Sequence, residues 1–412
     1  MSRRSTMSMD NFHDDLLAQI LVRQPVKSIV RFKSVSKAWC SMLENPVFVS
    51  EYDVNYLNNK KNKKNKKKKS SHLLIIQSNL LIIQSHDEKH LFCDFIRMCL
   101  FDDQTLTSYQ DLIPQLPPSI EARPYNLGVI IHDGLLCLLH NSYRDITLWN
   151  PVTREFRLVP KICHEKIRPT TELWNEFSGF GSDSSSTEYK VVRCYFYYDS
   201  VTKKRASLET LRHYFVYRVS TNSWRELRGT SVEAANAIEY ISYVSRSNGC
   251  VNGVHYWVGN KRDGGDFSIL AFHLSIEVFE SIDFPTSGRQ ASGVLLRLPD
   301  IEDRLCLWIP PNSTNDIIGD VWLLNKDDDN KGQYFWTKLL RINDHFPQIG
   351  RMLRFWNNNE VFVRIRNAKS VLLCNLETDK LGEVEIKIDK YWHLSGIYTY
   401  EESLCPIAYR NF

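Results

Sequence analysis

The sequence predicts an α+β, multidomain chain in which a small N-terminal unit of three helices precedes a large, mainly antiparallel β region. Apolar residues in the first fifty positions recur at helical spacing, whereas from residue 90 onward short strand-like segments alternate with turn residues. The β region also repeats about every 50 residues, which is the scale of a four-stranded propeller blade. We therefore predict a six-bladed β-propeller, with a two-sheet β sandwich as the alternative.

Composition is that of an ordinary globular protein. The chain has 412 residues, of which 43% are hydrophobic and 24% are charged. Its net charge of +4 depends on eight lysines within residues 60–69, and without them it would be −4, so charge does not indicate a nucleic-acid surface. The ten cysteines are scattered without a CxxC pair, which favours reduced thiols. No apolar run predicts a signal peptide or membrane span, so a cytoplasmic, possible nuclear, location is expected.

The first helix is expected to begin near Asp10 or Asn11, which are residue types suited to capping. The Gln24-Pro25 pair should end it, because a residue before proline avoids the α conformation. Its apolar face comprises Leu16, Leu17, Ile20 and Leu21.

A second helix is predicted from Pro25 onward and a third around Trp39, ending at Asn45-Pro46. Three helices in fewer than fifty residues form a very small core. The unit is therefore expected to complete its burial against the rest of the chain or against a partner protein.

Residues 14–52, "DDLLAQILVRQPVKSIVRFKSVSKAWCSMLENPVFVSEY", resemble an F-box. The resemblance implies an F-box domain over residues 8–53 that docks on a Skp-type adaptor and, through it, on a cullin scaffold. Basic side chains would surround the contact, and Trp39 would belong largely to the internal core. The residues matching the family pattern are Pro25, Val26, Lys27, Ser28, Arg31, Phe32, Lys33, Val35, Ser36, Lys37 and Trp39. The adaptor-binding residues so implied are Leu16, Ile20, Leu21, Pro25, Val26, Ile29, Phe32 and Val35.

Two departures from the F-box pattern motivate an alternative function. Phe12-His13 stands in place of the usual Leu-Pro opening, and Gln24 replaces a leucine before Pro25. A chain that these changes make inert toward the adaptor would instead be an interaction scaffold or a lectin-like binder.

Residues 54–72 are predicted to be a lysine-rich, disordered linker or insertion, because their composition offers almost nothing to bury. A nuclear-localisation or phosphate-binding patch is the functional alternative. Directly after it, the hexamer "LLIIQS" occurs at 73–78 and again at 80–85, and a fold needs only one copy.

The remaining residues, 73–412, are assigned to the kelch-like propeller region. Its third strands are aligned by the equivalent positions Val219, Leu274, Asn325 and Asn375, which are 55, 51 and 50 residues apart. Residues 90–127 are expected to form a further, degraded blade. Trp224 and Phe156 are expected to pack between sheets. Strands are predicted at 134–140, 189–198, 253–259, 305–310 and 360–365.

The segments "LWNPVTREFRLVP", "GFGSDSSSTEYKVVR", "VYRVSTNSWREL" and "NGVHYWVG" resemble the F-box-associated domain of plant F-box proteins, and the whole chain is similar to the S-locus F-box group. The resemblance implies a substrate-recognition subunit of a Skp–cullin–F-box ubiquitin ligase. In the S-locus group the targets are S-ribonucleases. The loops expected to hold a target protein are 161–176, 199–212, 228–246 and 286–302.

The sequence contains no recognisable catalytic or cofactor motif. "GFGSDSS" precedes a strand instead of opening a helix, and there is no GxxxxGK[ST], HExxH or GxSxG pattern. His255 is expected to be a satisfied core or surface histidine, and Cys40 a small buried residue. The chain is thus predicted to be a non-catalytic protein without a metal or cofactor, acting on neither nucleic acid nor membrane.

Overall fold

Apolar strands dominate the chain, and in the computed structural model of the protein they form six antiparallel sheets preceded by helices. The structure describes residues 9–52, 55, 72–84, 89–102, 108–112, 128–140, 145–162, 171–182, 188–199, 212–241, 250–261, 266–285, 294–298, 304–309, 319–327, 333–342, 349–357, 359–365, 371–378, 380–384 and 392–407. The predicted disorder of the lysine-rich segment falls almost wholly outside these residues.

The N-terminal helical unit, residues 9–52, begins earlier than the capping residues suggest. The first helix already includes Asp10 and Asn11, so neither caps it, because no proline or glycine stops helical hydrogen bonding from reaching Met9. It ends ahead of Gln24-Pro25, as predicted. The helices are α1 (Met9–Leu21), α2 (Val26–Phe32), α3 (Lys37–Leu43) and α4 (residues 46–52).

The fourth helix corrects the predicted count of three. Asn45-Pro46 ends α3 as expected, but the same pair also starts α4. The Asn45 side chain accepts a hydrogen bond from the Val47 N–H at 2.9 Å, and proline suits the first position of a helix. A helix stop and a helix start therefore share one dipeptide.

Each of the six sheets is one blade of a propeller, which excludes the sandwich alternative. Blade I has β1 (His72–Gln84), β2 (Lys89–Asp102), β3 (Ser108–Leu112) and β25 (Trp392–Tyr400). Blade II has β4 (Gly128–His132), β5 (Leu135–His140), β6 (Asp145–Asn150) and β7 (Glu155–Leu158). Blade III has β8 (Thr171–Ser182), β9 (Tyr189–Asp199), β10 (Arg212–Arg218) and β11 (Ser223–Leu227).

The second half of the ring repeats the same unit. Blade IV has β12 (Ile238–Ile241), β13 (Cys250–Val251), β14 (Val254–Lys261), β15 (Phe267–His273) and β16 (Val278–Asp283). Blade V has β17 (Val294–Leu298), β18 (Arg304–Ile309), β19 (Gly319–Lys326) and β20 (Tyr334–Ile342). Blade VI has β21 (Ile349–Phe355), β22 (Glu360–Ile365), β23 (Val371–Asn375) and β24 (Lys380–Glu383).

The sequence repeat matches these blades closely. All five predicted strands are present, and each is the second strand of its blade. The four positions taken as equivalent, Val219, Leu274, Asn325 and Asn375, fall within one residue of the end of the third strand in blades III to VI. The repeat unit was therefore identified correctly from turn residues and strand spacing.

Blade I differs from the prediction because it is built from both ends of the chain. The described residues within 90–127 belong to β2 and β3, while β25 is the innermost strand of blade I and pairs antiparallel with β1, with His72 opposite Tyr400. The first "LLIIQS" copy and residues 80–84 of the second lie in the single strand β1. The first copy pairs with both neighbours, and the backbone of the second pairs with β2 beyond a bulge at Asn79 and Leu80.

Hydrophobic clusters at the blade junctions close the ring. One cluster joins each pair of neighbouring blades, from Leu74 and Val129 between blades I and II to Phe362 and Ile397 between blades VI and I. Alternate residues of each strand face one neighbouring blade or the other, so strands of this fold are apolar on both faces. Closure thus buries the apolar faces of every described blade against its neighbours.

Of the two aromatic residues predicted to pack between sheets, one does so and the other lies on the surface. Trp224 packs at the junction of blades II and III, and its Nε1–H donates to the Pro160 carbonyl at 2.6 Å. Phe156, in contrast, is 40% exposed. On the short outer strand β7 the buried position is Arg157, so strand alternation turns Phe156 and Leu158 toward solvent.

Strand direction determines which connections share a face of the ring. Turns after the first and third strands of each blade lie on one face, here called the turn face. The turn after the second strand and the links between blades lie on the other, here called the connection face. On the turn face, Asp133-Gly134 joins β4 to β5 with positive φ at both residues (45° and 78°), as a type I′ hairpin requires.

A buried carboxylate ties blade III to blade IV on the turn face. Glu277 is 4% exposed. It lies 2.8 Å from the Lys190 Nζ and 2.7 Å from an Arg218 nitrogen, and it also contacts Arg225. Burial alone would raise the pKa of Glu277, but hydrogen bonds from the three cations outweigh burial and lower it to about 2.

The variant Glu277→Gln is expected to destabilise the propeller by about 3 kcal/mol at pH 7, because Lys190 keeps a buried charge without its partner. The unfolded carboxyl has the ordinary pKa of 4.5, so this stabilisation is complete above that value and declines as the pH falls toward 2. Urea unfolding between pH 7 and pH 3 measures it. The difference in the free energy of unfolding between wild type and variant should narrow on acidification. A constant difference would contradict the assignment of this stabilisation to the ionised Glu277 carboxylate. Glu377→Gln, an exposed control, should stay within about 0.5 kcal/mol.

Candidate functional site

The N-terminal helical unit has a small core that the propeller completes. Its fully buried side chains form one cluster with a single propeller residue, Leu404, and Val152 packs against the same cluster. The Tyr52 hydroxyl donates to the Gln24 carbonyl at 2.8 Å and so ties α4 to the α1–α2 corner. The buried members from the helical unit are Leu21, Val22, Val26, Ile29, Leu43, Phe48 and Tyr52.

The eight predicted adaptor-binding residues divide into two groups. Leu16, Ile20 and Val35 are 47%, 59% and 60% exposed, which is unusual for side chains of this size. Pro25 is also exposed and Phe32 is half-buried. The other three, Leu21, Val26 and Ile29, lie in the core of the helical unit.

The exposed apolar set comprises Leu16, Ile20, Val35 and Val47. Leu16 and Ile20 are four residues apart on α1 and therefore lie side by side on one face of that helix. Val47, on α4, is 65% exposed and was not singled out from the sequence, because α4 itself was not predicted. The described residues contain ten exposed large apolar side chains, and four of these ten lie within the 32 positions from Leu16 to Val47. The exposed apolar surface is therefore concentrated on the helical unit.

The turn that presents Val35 is fixed by local contacts. The Ser36 side chain caps α3 by accepting a hydrogen bond from the Trp39 N–H at 3.1 Å. The Trp39 ring meets Phe32 edge-on, with centroids 5.6 Å apart, and packs against the core as predicted. Val35 is thus held outward between a helix end and a capped helix start.

The basic residues do not all surround this set. Lys27 forms an ion pair with Glu402 of the propeller at 2.9 Å, and Lys33 reaches Glu44 within the helical unit at 3.4 Å. Arg31 and Lys37 are exposed. Periodicity alone could not separate Lys27 from the others, because its partner is 375 positions away in the chain.

The polar replacement at Gln24 is accommodated without loss of the core. Its side chain is half-buried, and its Nε2 donates to the Ile20 carbonyl at 3.4 Å, the limit of a weak hydrogen bond. Its backbone carbonyl accepts the Tyr52 hydroxyl. The side chains of the other departure, Phe12-His13, lie outside the described residues.

The described residues contain no group of three His, Cys, Asp or Glu side chains that could hold a metal ion. Burial raises the pKa of the Cys137 and Cys306 thiols to about 12, with smaller opposing effects of Arg193 and Arg304, so neither is a nucleophile. The half-buried Cys40 is more accessible than predicted.

His255 is a core residue, as predicted, but it is not satisfied. Its ring is fully buried and stacked on Trp257, with centroids 4.4 Å apart. Neither ring nitrogen has a hydrogen-bond partner in the described part of the chain. Burial, and to a smaller extent the neighbouring His132, lower its pKa to about 3, so the ring is neutral.

Most of the described strands that border the predicted target loops end on the connection face, whereas Val152 and Leu404 contact the helices from the turn face. Parts of the predicted loops are regular structure instead: 171–176 belongs to β8, 238–241 to β12 and 294–298 to β17. The parts 163–170, 200–211, 242–246, 286–293 and 299–302 lie outside the described residues.

The connection from blade III to blade IV is the best described of these. It contains a 3₁₀ turn (Gly229–Val232) and a short helix (Glu233–Asn236) instead of a loop. Arg212 donates to the carbonyls of Ala235 at 3.0 Å and Ile238 at 2.5 Å and anchors the helix. Carbonyls at a helix end attract such a cation, which sequence periodicity does not reveal.

No helix in the described part of the chain is long and apolar enough to cross a membrane.

Comparisons with known proteins agree with this architecture. The model of the F-box domain matches residues 9–50, and that of the F-box associated beta propeller domain matches residues 89–407. Three similar proteins come from Arabidopsis thaliana. An F-box/LRR-repeat protein is 26% identical over 83% of this chain and 70% of its own, and an F-box/kelch-repeat protein 23% over 82% and 77%. F-box protein CPR1 is 23% identical over 90% of this chain and 84% of its own.

The matched propeller model covers well over half of the chain, and its boundaries enclose every strand from β2 to β25 and the segment that follows, up to the last described residue. Together with the helical unit, this shows that the chain belongs to the F-box proteins that carry an F-box associated beta propeller domain.

Proposed function

We propose that the chain is the substrate-recognition subunit of a Skp–cullin–F-box ubiquitin ligase. The observation that carries this proposal is the exposed apolar set on the F-box. Large aliphatic side chains at 47% to 65% exposure leave much of their apolar surface in water, and that surface can be buried against the apolar surface of an adaptor protein. The F-box match and the F-box names of the similar Arabidopsis proteins support the same role.

Within this proposal the predicted residues have different tasks. Leu16, Ile20 and Val35, joined by Val47, contact the adaptor directly. The buried Leu21, Val26 and Ile29 hold the helices in the arrangement that presents those contacts. Pro25, which is exposed, and Phe32, which is half-buried, contribute at the edge.

The propeller holds the target protein on its connection face. The chain itself performs no chemistry; it raises the effective concentration of target lysines near a ubiquitin-carrying enzyme. The similarity to the S-locus group makes an S-ribonuclease the first candidate target, met in the cytoplasm or the nucleus.

A scaffold or lectin-like binder without adaptor affinity is the competing function. The departures Phe12-His13 and Gln24 from the F-box pattern favour it. The structural accommodation of Gln24 weakens its part of this case, because its polar side chain fits beside an otherwise intact core.

Two substitutions separate the buried from the exposed residues. Ile29→Ala should destabilise the F-box by about 3 kcal/mol, because it leaves a cavity at a fully buried site. Val35→Ala, at a 60% exposed site, should change stability by less than about 0.5 kcal/mol. Amide hydrogen exchange of peptides from residues 9–52 measures both. Equal losses of exchange protection in the two variants would contradict the assignment of Ile29 to the core and of Val35 to the surface.

Adaptor binding tests the proposal itself. Leu16→Asp with Ile20→Asp should weaken binding of a purified Skp-type adaptor about 100-fold, equivalent to roughly 3 kcal/mol, because two apolar contacts become charged. Ser41→Asp is the matched control, since Ser41 is exposed on α3 and does not belong to the exposed apolar set, and it should change Kd less than threefold. Titration calorimetry on the full chain gives both constants.

A folded wild-type chain that does not bind the adaptor would overturn the receptor role and leave the scaffold. In that event Phe12→Leu, His13→Pro and Gln24→Leu together should create binding if the departures are the cause. An unchanged Kd in the Leu16→Asp, Ile20→Asp variant would instead show that the adaptor uses another surface.

A further inference from the structure

The segment that follows the last strand, residues 401–407, is built into the turn face of blade II. The Asn150 side chain, which is fully buried, donates from Nδ2 to the Ser403 carbonyl at 3.0 Å and to the Cys405 carbonyl at 3.1 Å. Its Oδ1 accepts from the Val152 N–H at 3.0 Å. One asparagine therefore shapes the β6–β7 turn and holds the segment against it.

Two further contacts fix the ends of this segment. A Cβ at Gly134 would lie 2.2 Å from the Glu401 carbonyl oxygen, so the segment passes where only glycine leaves room. Ile407 is 1% exposed in the cluster between blades II and III, and its N–H donates to Glu155 at 3.3 Å. The segment is thus anchored at both ends to blade II.

The same segment faces the F-box from its middle. Leu404 is 5% exposed, and all the other buried members of its cluster belong to the F-box. Glu402 lies 2.9 Å from the Lys27 Nζ on α2, and the same oxygen is 4.0 Å from a ring nitrogen of His72 at the start of β1. An apolar contact and an ion pair therefore join the segment to α2 and its neighbours.

The composition of the direct chain connection favours little contact with either domain. Residues 53–71 contain few apolar residues and eight lysines within 60–69. The described contacts between the F-box and the propeller therefore come from residues 401–407 and their surroundings.

We propose that residues 401–407 act as a strap that holds the F-box in one orientation on the propeller. The strap supplies the burial that the small helical core lacks, and Lys27 with Glu402 sets the rotation about the Leu404 contact. A fixed orientation would also fix the distance between adaptor and target. That consequence rests on the proposed function, whereas the strap itself does not.

The free, full-length chain is sufficient for the test. In wild type, dyes on the exposed Ser41 and Lys380 should give one narrow energy-transfer distribution. Leu404→Asp should broaden it, and the slowest amides of α2 and α3 should exchange at least tenfold faster, while the inner strands change less than twofold. Leu381→Asp is the matched control, since Leu381 is 40% exposed on the outer strand of blade VI, and it should leave both measurements unchanged.

A charge-reversal pair keeps the proposal testable if Leu404→Asp does not fold. Lys27→Glu alone should broaden the distribution and speed exchange two- to fivefold, and adding Glu402→Lys should restore the wild-type values. A broad wild-type distribution, an unchanged Leu404→Asp variant, or no rescue by the double variant would overturn the strap. Adaptor titration is a separate readout, so a chain that fails to bind the adaptor would overturn the proposed function alone.

Discussion

The pairing of the last strand with the first is the constraint on which the rest of the structure depends. β25 supplies the innermost strand of blade I, and its Ile397 and Tyr400 enter the clusters that join blade I to its two neighbours. Joining chain segments more than 300 residues apart costs about 5 kcal/mol of loop-closure entropy. Backbone pairing along β1 and burial on both sides of β25 offset that cost. Without the pairing of β25 with β1, blades VI and I would each expose an apolar face, and the ring would open at the two junctions of blade I.

Charged groups interrupt the apolar junctions chiefly around blade III. Arg193 is fully buried and bonded to Ser178 at 2.9 Å, to Glu176 at 3.2 Å and to the Tyr195 hydroxyl at 3.0 Å. On the other face of the blade, Glu277 gathers three cations. Buried ion pairs add little net stability, but breaking one leaves an uncompensated charge. The Glu277 cluster therefore disfavours alternative packings of blade III against blade IV, which apolar surfaces alone would tolerate, whereas the Arg193 cluster joins strands within blade III.

Local patterns predicted the parts of the fold that depend on local interactions. Turn residues and strand spacing located the third strands of blades III to VI within one residue, and Gln24-Pro25 marked the end of the first helix. The closed six-bladed ring was predicted, but the contribution of β25 to blade I was missed because β25 has no local signal that it pairs with β1. The separation of the predicted adaptor-binding residues into buried and exposed ones was missed for the same reason. Ile29 and Val35 are both apolar in a helical pattern, and only packing buries Ile29 and exposes Val35. Phe156 shows that strand alternation on a four-residue edge strand is equally hard to read.

Ring closure and F-box attachment are one structural problem. Because β25 is an innermost strand that ends on the turn face, any chain that continues past Tyr400 must emerge on that face, beside blade II. The F-box packs at that point, so the strand that closes the ring also delivers Leu404 and Glu402 to the helices. Apart from the longer pairs β1–β2 and β8–β9, the strands that separate the two faces pair over at most eight residues, which corresponds to roughly 25 Å. A rigid ring of that height converts the position of the helices on one face into a defined position relative to the loops on the other. The stability of the ring and the orientation of the F-box therefore depend on the same nine-residue strand and the seven described residues that follow it.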